Sequence, residues 1–564
     1  MSGSEIIAES LVRLGVTHIF GIVGIPVIEV AERCIAKGIK FIAFRNEQAA
    51  TYAATAYGYL TGKPGVALVV GGPGAVHALA GIENARANYF PLLLLAGSSE
   101  THQREKGAFQ ELNQVALMQP YTKLAAQPAS LLAVPELLEK AYRVAYFGRP
   151  GPTYIDLPAD IIQQKLEGSS ITANQFYYKT NPGIAPKSLA DPERIKRVAL
   201  ALTMAKSPLL VIGKGAAYGR AERAVRDLHA ILRIPFLPTP MGKGVLPDSD
   251  ELNISAARSA ALKTADVILL LGGRLNWILH YGESPKFDSN VKIIQVDIAA
   301  EELGNNAGNP HYGLVGDIGL VCEQLVSELQ QLKYKSPPVS PLLIAGKRKN
   351  QQKAASLESL DRPGPMIYQG VYRVIRDTLK TINSRKVIYV SEGANTMDIS
   401  RSAFPLDEPR TRLDAGTNAT MGVGLGYAIA AKIAEPESLV VAIEGDSAFG
   451  FSAIEVETAV RSGLPMIIYV MNNSGVYHGV NPLAYDNIDK KPLPSTALQL
   501  NTEYHAMAQS LGARGFLATN FLELQAATER AVKSNQVCVI NVIIDSGENK
   551  KLEFGWMAST KSKL

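Results

Sequence analysis

Cysteine is scarce. The 564 residues hold three, Cys34, Cys322 and Cys538, far apart and each in an apolar stretch. That spacing gives no disulfide framework and no thiolate metal site, and it predicts three buried thiols. Long apolar runs are missing too. None reaches the roughly 18 residues that span a bilayer, so no membrane span is expected. The start, MSGSEIIAES, has no basic segment ahead of an apolar core, so no signal peptide is expected. Nor is charge of one sign in excess. The formal net charge is +5, and the basic residues are scattered rather than striped, which argues against a nucleic-acid partner. What is present, 47% hydrophobic and 19% charged residues, is the balance of a well-packed globular protein. The length exceeds one ordinary core and predicts two to four domains.

Along the chain, apolar strands alternate with helical patterns, and Gly-rich turns follow the strands. THIFGIVG runs into the loop Gly24-Ile25-Pro26, KFIAF ends at Arg45-Asn46-Glu47, GVALVV ends at Gly71-Gly72-Pro73-Gly74, and PLLLLAG follows. Such alternation predicts an α/β fold with doubly wound parallel sheets. A first domain is expected over residues 1–165 and a second over 190–335, with candidate strands in SPLLVIGKGA, PFLPTP, ADVILLLGG and VKIIQVDI. A third is expected over 366–564. The polar, Pro-containing stretches between them read as linkers. The run from Gly213 to Gly219 invites a dinucleotide reading, but its third glycine comes one position late. The chain ends in Ser562-Lys563-Leu564, the tripeptide address read by the peroxisomal import receptor. This predicts the peroxisome matrix.

The third domain is organised around residues 445–473, GDSAFGFSAIEVETAVRSGLPMIIYVMNN. An apolar strand ends in Gly445-Asp446-Ser447. A helical pattern follows, and a second apolar strand ends in Asn472-Asn473. This βαβ unit places an acid and an amide at neighbouring strand ends, where open parallel sheets bind ligands. One carboxylate and one amide oxygen form a hard site that suits Mg²⁺ completed by water and phosphate. Taken alone, Asp446 would cap a helix and the asparagines would make a turn.

The string resembles the diphosphate-binding motif of thiamine diphosphate (ThDP) enzymes. That resemblance implies that Asp446, Asn473 and the Gly475 carbonyl hold Mg²⁺ against the cofactor, with Gly445, Ser447, Ala448 and Tyr477 forming a diphosphate cradle. It implies that Glu47, in Arg45-Asn46-Glu47-Gln48, is the carboxylate that activates the aminopyrimidine, a role that needs a dry site. Met421 in NATMGVG would support the bent cofactor, although methionine is also an ordinary gap-filler. Glu392, Gly393, Ala394 and Asn395 would flank diphosphate and substrate, with Ile25 on the substrate side. In this family the first domain of one subunit faces the third of another, so a homo-oligomer, a dimer of dimers, is implied and a monomer would be inactive.

IFGIVGIPVIEV, FRNEQAATYAA, GRPGPTYIDLP, GKGAAYG, GGRLNWIL, SEGANTMD and IEGDSAFGFS narrow the likeness to the branch of oxalyl-CoA decarboxylases and 2-hydroxyacyl-CoA lyases. Both release formyl-CoA. The first also releases carbon dioxide, and the second an aldehyde. Where the bacterial decarboxylases carry Gly-Asp-Tyr-Glu-Glu, this chain has Gly107-Ala108-Phe109-Gln110-Glu111. That looks like the lyases and puts Phe109 and Gln110 at the reacting centre. The segment Phe554–Thr560 also looks like the lyases' closing tail. The middle domain of this branch takes ADP or CoA, which would fall to Arg149, Lys214, Arg274 and Asp297. An FAD-using relative is the competing reading, but no clear flavin fingerprint is present.

Overall fold

The computed structural model describes residues 1–166, 182–361, 363–489 and 491–546. The Phe554–Thr560 segment and the terminal Ser-Lys-Leu lie outside the described residues. Three parallel sheets carry the chain. The first has β1 (His18–Gly21), β2 (Lys40–Ala43), β3 (Gly65–Val69), β4 (Leu92–Ser98), β5 (Leu124–Ala126) and β6 (Pro152–Pro158), in the order β2-β1-β3-β4-β6-β5. The second has β7 (Pro208–Ile212), β8 (Phe236–Pro238), β9 (Val267–Leu271), β10 (Lys292–Asp297) and β11 (Leu314–Val315), in the order β11-β10-β9-β7-β8. The third has β12 (Val387–Glu392), β13 (Arg412–Asp414), β14 (Leu439–Gly445), β15 (Ile467–Asn472), β16 (Arg514–Ala518) and β17 (Cys538–Ile543), in the order β13-β12-β14-β15-β17-β16.

These strands are continuous apolar runs because helices cover both faces, as in LLLLAGS of β4 and IIYVMN of β15. Each sheet has a switch point where the winding reverses: between β1 and β3, between β7 and β9, and between β12 and β14. Crevices open at the carboxyl ends of such strand pairs. The register of β12 on β14 sets Glu392 beside Glu444, and that of β14 on β15 sets Gly445 beside Met471.

The first and third domains share one core. Phe20, Tyr59, Leu94 and Ala53 belong to the same buried cluster as Val390, Tyr427, Ala442 and Ile468. The seam is the helix Glu47–Thr61 against the helix Gly424–Ala434. Both are rich in alanine and glycine, so their backbones come close. A Cβ on Gly426 would sit 2.7 Å from the Ala49 carbonyl oxygen. The middle domain has a core of its own around Ile212, Leu228, Leu269 and Val296.

Two expectations change. The stretch 335–365, read as a linker, contains the helix Pro341–Leu357. Its Leu343 is buried in the middle domain's second cluster, and Lys347 and Asn350 bind the carbonyls of Glu251 and Ala256. Its sequence is mostly polar because it packs along one narrow stripe only. The helical pattern after Asp446 is broken into two short helices, Asp446–Ser452 and Glu455–Arg461. All three cysteines are buried and free.

Candidate active site

At the switch point of the third sheet, β14 delivers Asp446 at the start of its short helix and β15 delivers Asn473. Asp446 is 2% exposed. It accepts hydrogen bonds from the backbone N–H of Ser447 at 2.8 Å and of Gly475 at 3.1 Å. Burial pushes its carboxyl up to about 6, against the pull of these amides. Asn473 donates through Nδ2 to the Tyr477 carbonyl at 3.2 Å. Its Oδ1 is buried and has no hydrogen-bond partner among the described residues. Asn395 also donates to the Tyr477 carbonyl, at 3.3 Å, and its amide lies 3.1 Å from His478 Nδ1. So Asp446, Ser447, Asn473, Gly475, Tyr477 and Asn395 converge.

This cluster fits a hard divalent cation. It offers one carboxylate, one orphaned amide oxygen and nearby backbone carbonyls, a donor set that leaves positions for phosphate and water. Among the described residues, no group of three or more His, Cys, Asp or Glu forms a separate metal cage. The same floor suits a phosphate chain. Gly393, with φ +91, lies against Gly445, and a Cβ on Gly393 would come within 3.3 Å of the Gly445 nitrogen. The helix Ala394–Ala403 starts there, which aims free backbone N–H groups at an anion. Ala448 is buried behind the cradle.

The Glu392 side chain holds a loop of the same site. It is fully buried, and its carboxylate accepts from the backbone N–H of Gly422 and, at 2.6 Å, of Gly424. It therefore holds the loop on which half-exposed Met421 stands. Burial pushes its carboxyl up to about 7. Its neighbour Glu444 is buried without hydrogen-bond partners among the described residues, and burial followed by the charge of Glu392 drives its carboxyl well up. Neither glutamate was legible as a pair, because only the β12–β14 register joins them.

Glu47 begins the helix Glu47–Thr61 behind the cap Asn46. One carboxylate oxygen lies 3.1 Å from His77 Nδ1. Gly74 stands beside the other: a Cβ there would be 3.6 Å from Glu47 Oε1. The loop 105–111 lies on the Gly71-Gly72 turn, with Phe109 71% exposed and Gln110 at φ +55. Ile25, also largely exposed, precedes Pro26 at the end of the first strand's loop. Among the described residues, no hydrogen bond joins Glu47 to Asp446. They are joined indirectly. The third domain's Glu455 accepts from the Arg45 N–H at 3.1 and 3.3 Å, two residues before Glu47.

The three cations and one acid foreseen as contacts to ADP or CoA do meet. Arg149, Lys214, Arg274 and Asp297 line one cavity of about 730 Å³ between the domains. Arg149 pairs with Asp297 at 3.1 Å and with Glu302 at 3.0 Å. Arg274 binds the Ala87 carbonyl at 2.7 Å and the Thr417 hydroxyl at 2.8 Å. Lys214 donates to the Asn88 carbonyl, and burial, then Arg274, pulls its pKa well down. Sequence reasoning missed Tyr89. Its ring lies under both guanidinium groups, 4.2 Å from Arg149 and 4.6 Å from Arg274. Nothing about a tyrosine after a helix end signals that role.

Three parallel-sheet domains, with an Asp/Asn oxygen site at one switch point and a carboxylate at the end of a first-domain strand, define the class of ThDP-dependent α/β enzymes. Family models agree in sequence order. The thiamine pyrophosphate enzyme N-terminal TPP binding domain matches residues 1–117, the central domain 195–325, and the C-terminal TPP binding domain 392–542. The 2-hydroxyacyl-CoA lyase of Saccharomyces cerevisiae is 46% identical over 563 residues, covering 97% of each chain. The 2-hydroxyacyl-CoA lyase 1 of Homo sapiens is 43% identical over 577 residues, covering 100% of this chain and 98% of that one. The oxalyl-CoA decarboxylase of Escherichia coli (strain K12) is 37% identical over 550 residues, covering 96% and 95%. The chain belongs to the ThDP-dependent enzyme family, in the branch of carbon–carbon lyases that holds the 2-hydroxyacyl-CoA lyases and oxalyl-CoA decarboxylases.

Proposed function

We propose that this enzyme uses ThDP and Mg²⁺ to split 2-hydroxyacyl-CoA into formyl-CoA and an aldehyde in the peroxisome matrix. The observation that carries the choice is the loop 105–111. It presents the apolar Phe109 to solvent, where an acyl chain can lie against it, and the neutral Gln110 beside it. A substrate as small and polar as oxalyl-CoA gains little from that wall.

Bound ThDP supplies the carbanion chemistry that breaks the carbon–carbon bond. The chain's residues do the rest. Asp446, Asn473 and the Gly475 carbonyl would hold Mg²⁺, and Gly393, Gly445, Ser447 and the start of the helix Ala394–Ala403 would cradle the diphosphate. Met421, on a loop fixed by Glu392, would prop the cofactor. Glu47 would exchange a proton with the aminopyrimidine ring. In the overall reaction the 2-hydroxyl proton leaves as the aldehyde forms, and one proton is delivered to the thioester carbonyl carbon. The cavity of Arg149, Lys214, Arg274 and Asp297 suits the phosphates and ribose of ADP or CoA, since guanidinium groups match phosphate and a strand-end acid matches a ribose hydroxyl.

Because no hydrogen bond joins Glu47 to Asp446 among the described residues, the complete site would form between two copies, a homodimer or a dimer of such dimers. The terminal Ser-Lys-Leu would bring the import receptor. The test is incubation with ThDP, Mg²⁺ and either a 2-hydroxyacyl-CoA or oxalyl-CoA. Formyl-CoA with an equimolar aldehyde from the first substrate is the expected result. Formyl-CoA from oxalyl-CoA alone would overturn the choice in favour of the decarboxylase.

A further inference from the structure

At the carboxyl ends of the first sheet, Gln114 ties together Gly72, Gly97, Tyr154 and Asp156. It is 2% exposed and opens the short helix Gln114–Met118. Its Oε1 accepts the Gly72 N–H at 2.6 Å. Its Nε2 donates to Asp156 Oδ1 at 2.5 Å, to the Gly97 carbonyl at 2.9 Å and toward the Tyr154 hydroxyl at 3.0 Å. A carboxylate and a carbonyl on one side and an N–H on the other leave the amide one orientation. Asp156 is buried as well. It accepts from the Gln127 amide at 2.8 Å, the Ser98 hydroxyl at 3.0 Å and the Tyr154 hydroxyl at 3.2 Å. Burial raises its pKa, and the ionisable groups facing it are Tyr154 and Arg104.

What this network holds is the seat of the loop 105–111. Gly72 has φ +53 and ψ −109, a conformation for which glycine alone is suited. A Cβ on it would come within 2.7 Å of the Gln110 carbonyl oxygen. The loop itself is a unit, because the Glu111 carboxylate accepts from the Ala108 N–H at 2.9 Å and from the Glu105 N–H. Gly72 also leads directly into the helix Pro73–Asn88, whose Gly74 stands beside Glu47. One amide side chain therefore fixes the peptide from which both the Phe109–Gln110 wall and the Glu47 surroundings are hung.

We propose that Gln114, held in orientation by Asp156, is a positioning residue that sets the loop 105–111 at its working distance from Glu47. It acts through Gly72 and touches no reacting atom. The inference rests on the reading above that Glu47, Phe109 and Gln110 face the reacting centre.

The test is a charge exchange across the 2.5 Å contact. Gln114→Glu places two carboxylates in the contact, and they hold one proton between them. As pH rises that proton is lost, so kcat/KM for 2-hydroxyacyl-CoA falls along an alkaline limb that the unaltered enzyme lacks. Combining Gln114→Glu with Asp156→Asn swaps donor and acceptor. A carboxylate still receives the Gly72 N–H and an amide still donates across the contact, so the limb disappears, although the Gly97 carbonyl loses its donor and the rate stays below that of the unaltered enzyme. Gln114→Ala removes the clamp and lowers kcat/KM by about 10–100-fold, the scale of a displaced wall.

Amide hydrogen exchange of the cofactor-free protein gives a readout independent of turnover. Gln114→Ala speeds exchange in residues 101–113 and at Gly72 but not in the middle domain, and the double exchange, which keeps an acceptor for the Gly72 N–H, restores protection at Gly72. Unchanged exchange in Gln114→Ala would overturn the clamp. So would a Gln114→Glu pH profile identical to that of the unaltered enzyme. Faster exchange with unaltered kcat/KM would overturn the functional half alone and would remove Phe109 and Gln110 from the reacting centre.

Discussion

Glu455→Gln isolates one buried proton and shows what it does. Glu455 is 0% exposed. Its carboxylate accepts from the Arg45 N–H and from the Thr458 hydroxyl, the latter at 2.5 Å. Burial pushes its pKa up to about 7, from an ordinary value of 4.5. The native chain therefore keeps a proton there that the unfolded chain has released between those two pH values. Stability from this group is complete below the unfolded pKa and is lost as pH rises toward 7. A shift of that size corresponds to on the order of 3 kcal/mol.

The glutamine variant keeps an acceptor for Arg45 but cannot titrate. Its stability should fall less steeply between pH 5 and 7.5 than that of the unaltered protein, by roughly that amount. Chemical denaturation of the cofactor-free protein, following the transition that reports on the joined first and third domains, measures both slopes. The difference between the two proteins is the quantity to use, because Glu392 and Asp446 are also pushed up by burial and tilt both curves alike. Equal slopes would refute the reasoning. Glu455→Ala would go further. It removes the carboxylate that holds the Arg45 N–H, in the segment that carries Glu47.

Glu47→Gln should retain ThDP affinity by calorimetry and lose about 10²–10⁴-fold in kcat, and an active variant would remove Glu47 from its role. Asp446→Ala should abolish Mg²⁺-dependent ThDP binding, so an unchanged titration would move the metal elsewhere. Tyr89→Ala frees Arg149 and Arg274 from their shared ring. It should weaken ADP or CoA binding in the cavity about tenfold, the size of a lost cation–π pair, and leave Mg²⁺–ThDP binding untouched. Phe109→Tyr with Gln110→Glu should raise the rate on oxalyl-CoA relative to a 2-hydroxyacyl-CoA. A falling or constant ratio would show that the loop does not choose the substrate.

Strand ends were the most legible part of the chain. Gly445-Asp446 and Asn472-Asn473 close apolar runs, and both the sheet and the cluster formed as that pattern predicts. The middle-domain cavity followed from residues more than a hundred positions apart, because the resemblance covers the whole chain. The hidden parts share one physical cause: they depend on register and on packing between distant segments. Glu444 reads as the polar end of a strand until β12 sets Glu392 beside it. Gln114 reads as an ordinary helix start until Gly72 and Asp156 arrive on either side. β16 and the helix Pro341–Leu357 were missed because their apolar faces are narrow, and partial burial leaves little pattern.

The alanine- and glycine-lined seam between the helices Glu47–Thr61 and Gly424–Ala434 limits how this enzyme can be redesigned. A methyl group on Gly426 has no room, so random libraries over these two helices will return mostly unfolded clones. The loop 105–111 and its apolar tip are solvent-facing and bear little of the fold's weight. Effort to broaden the range of substrates this catalyst handles belongs there, with the seam left as it is.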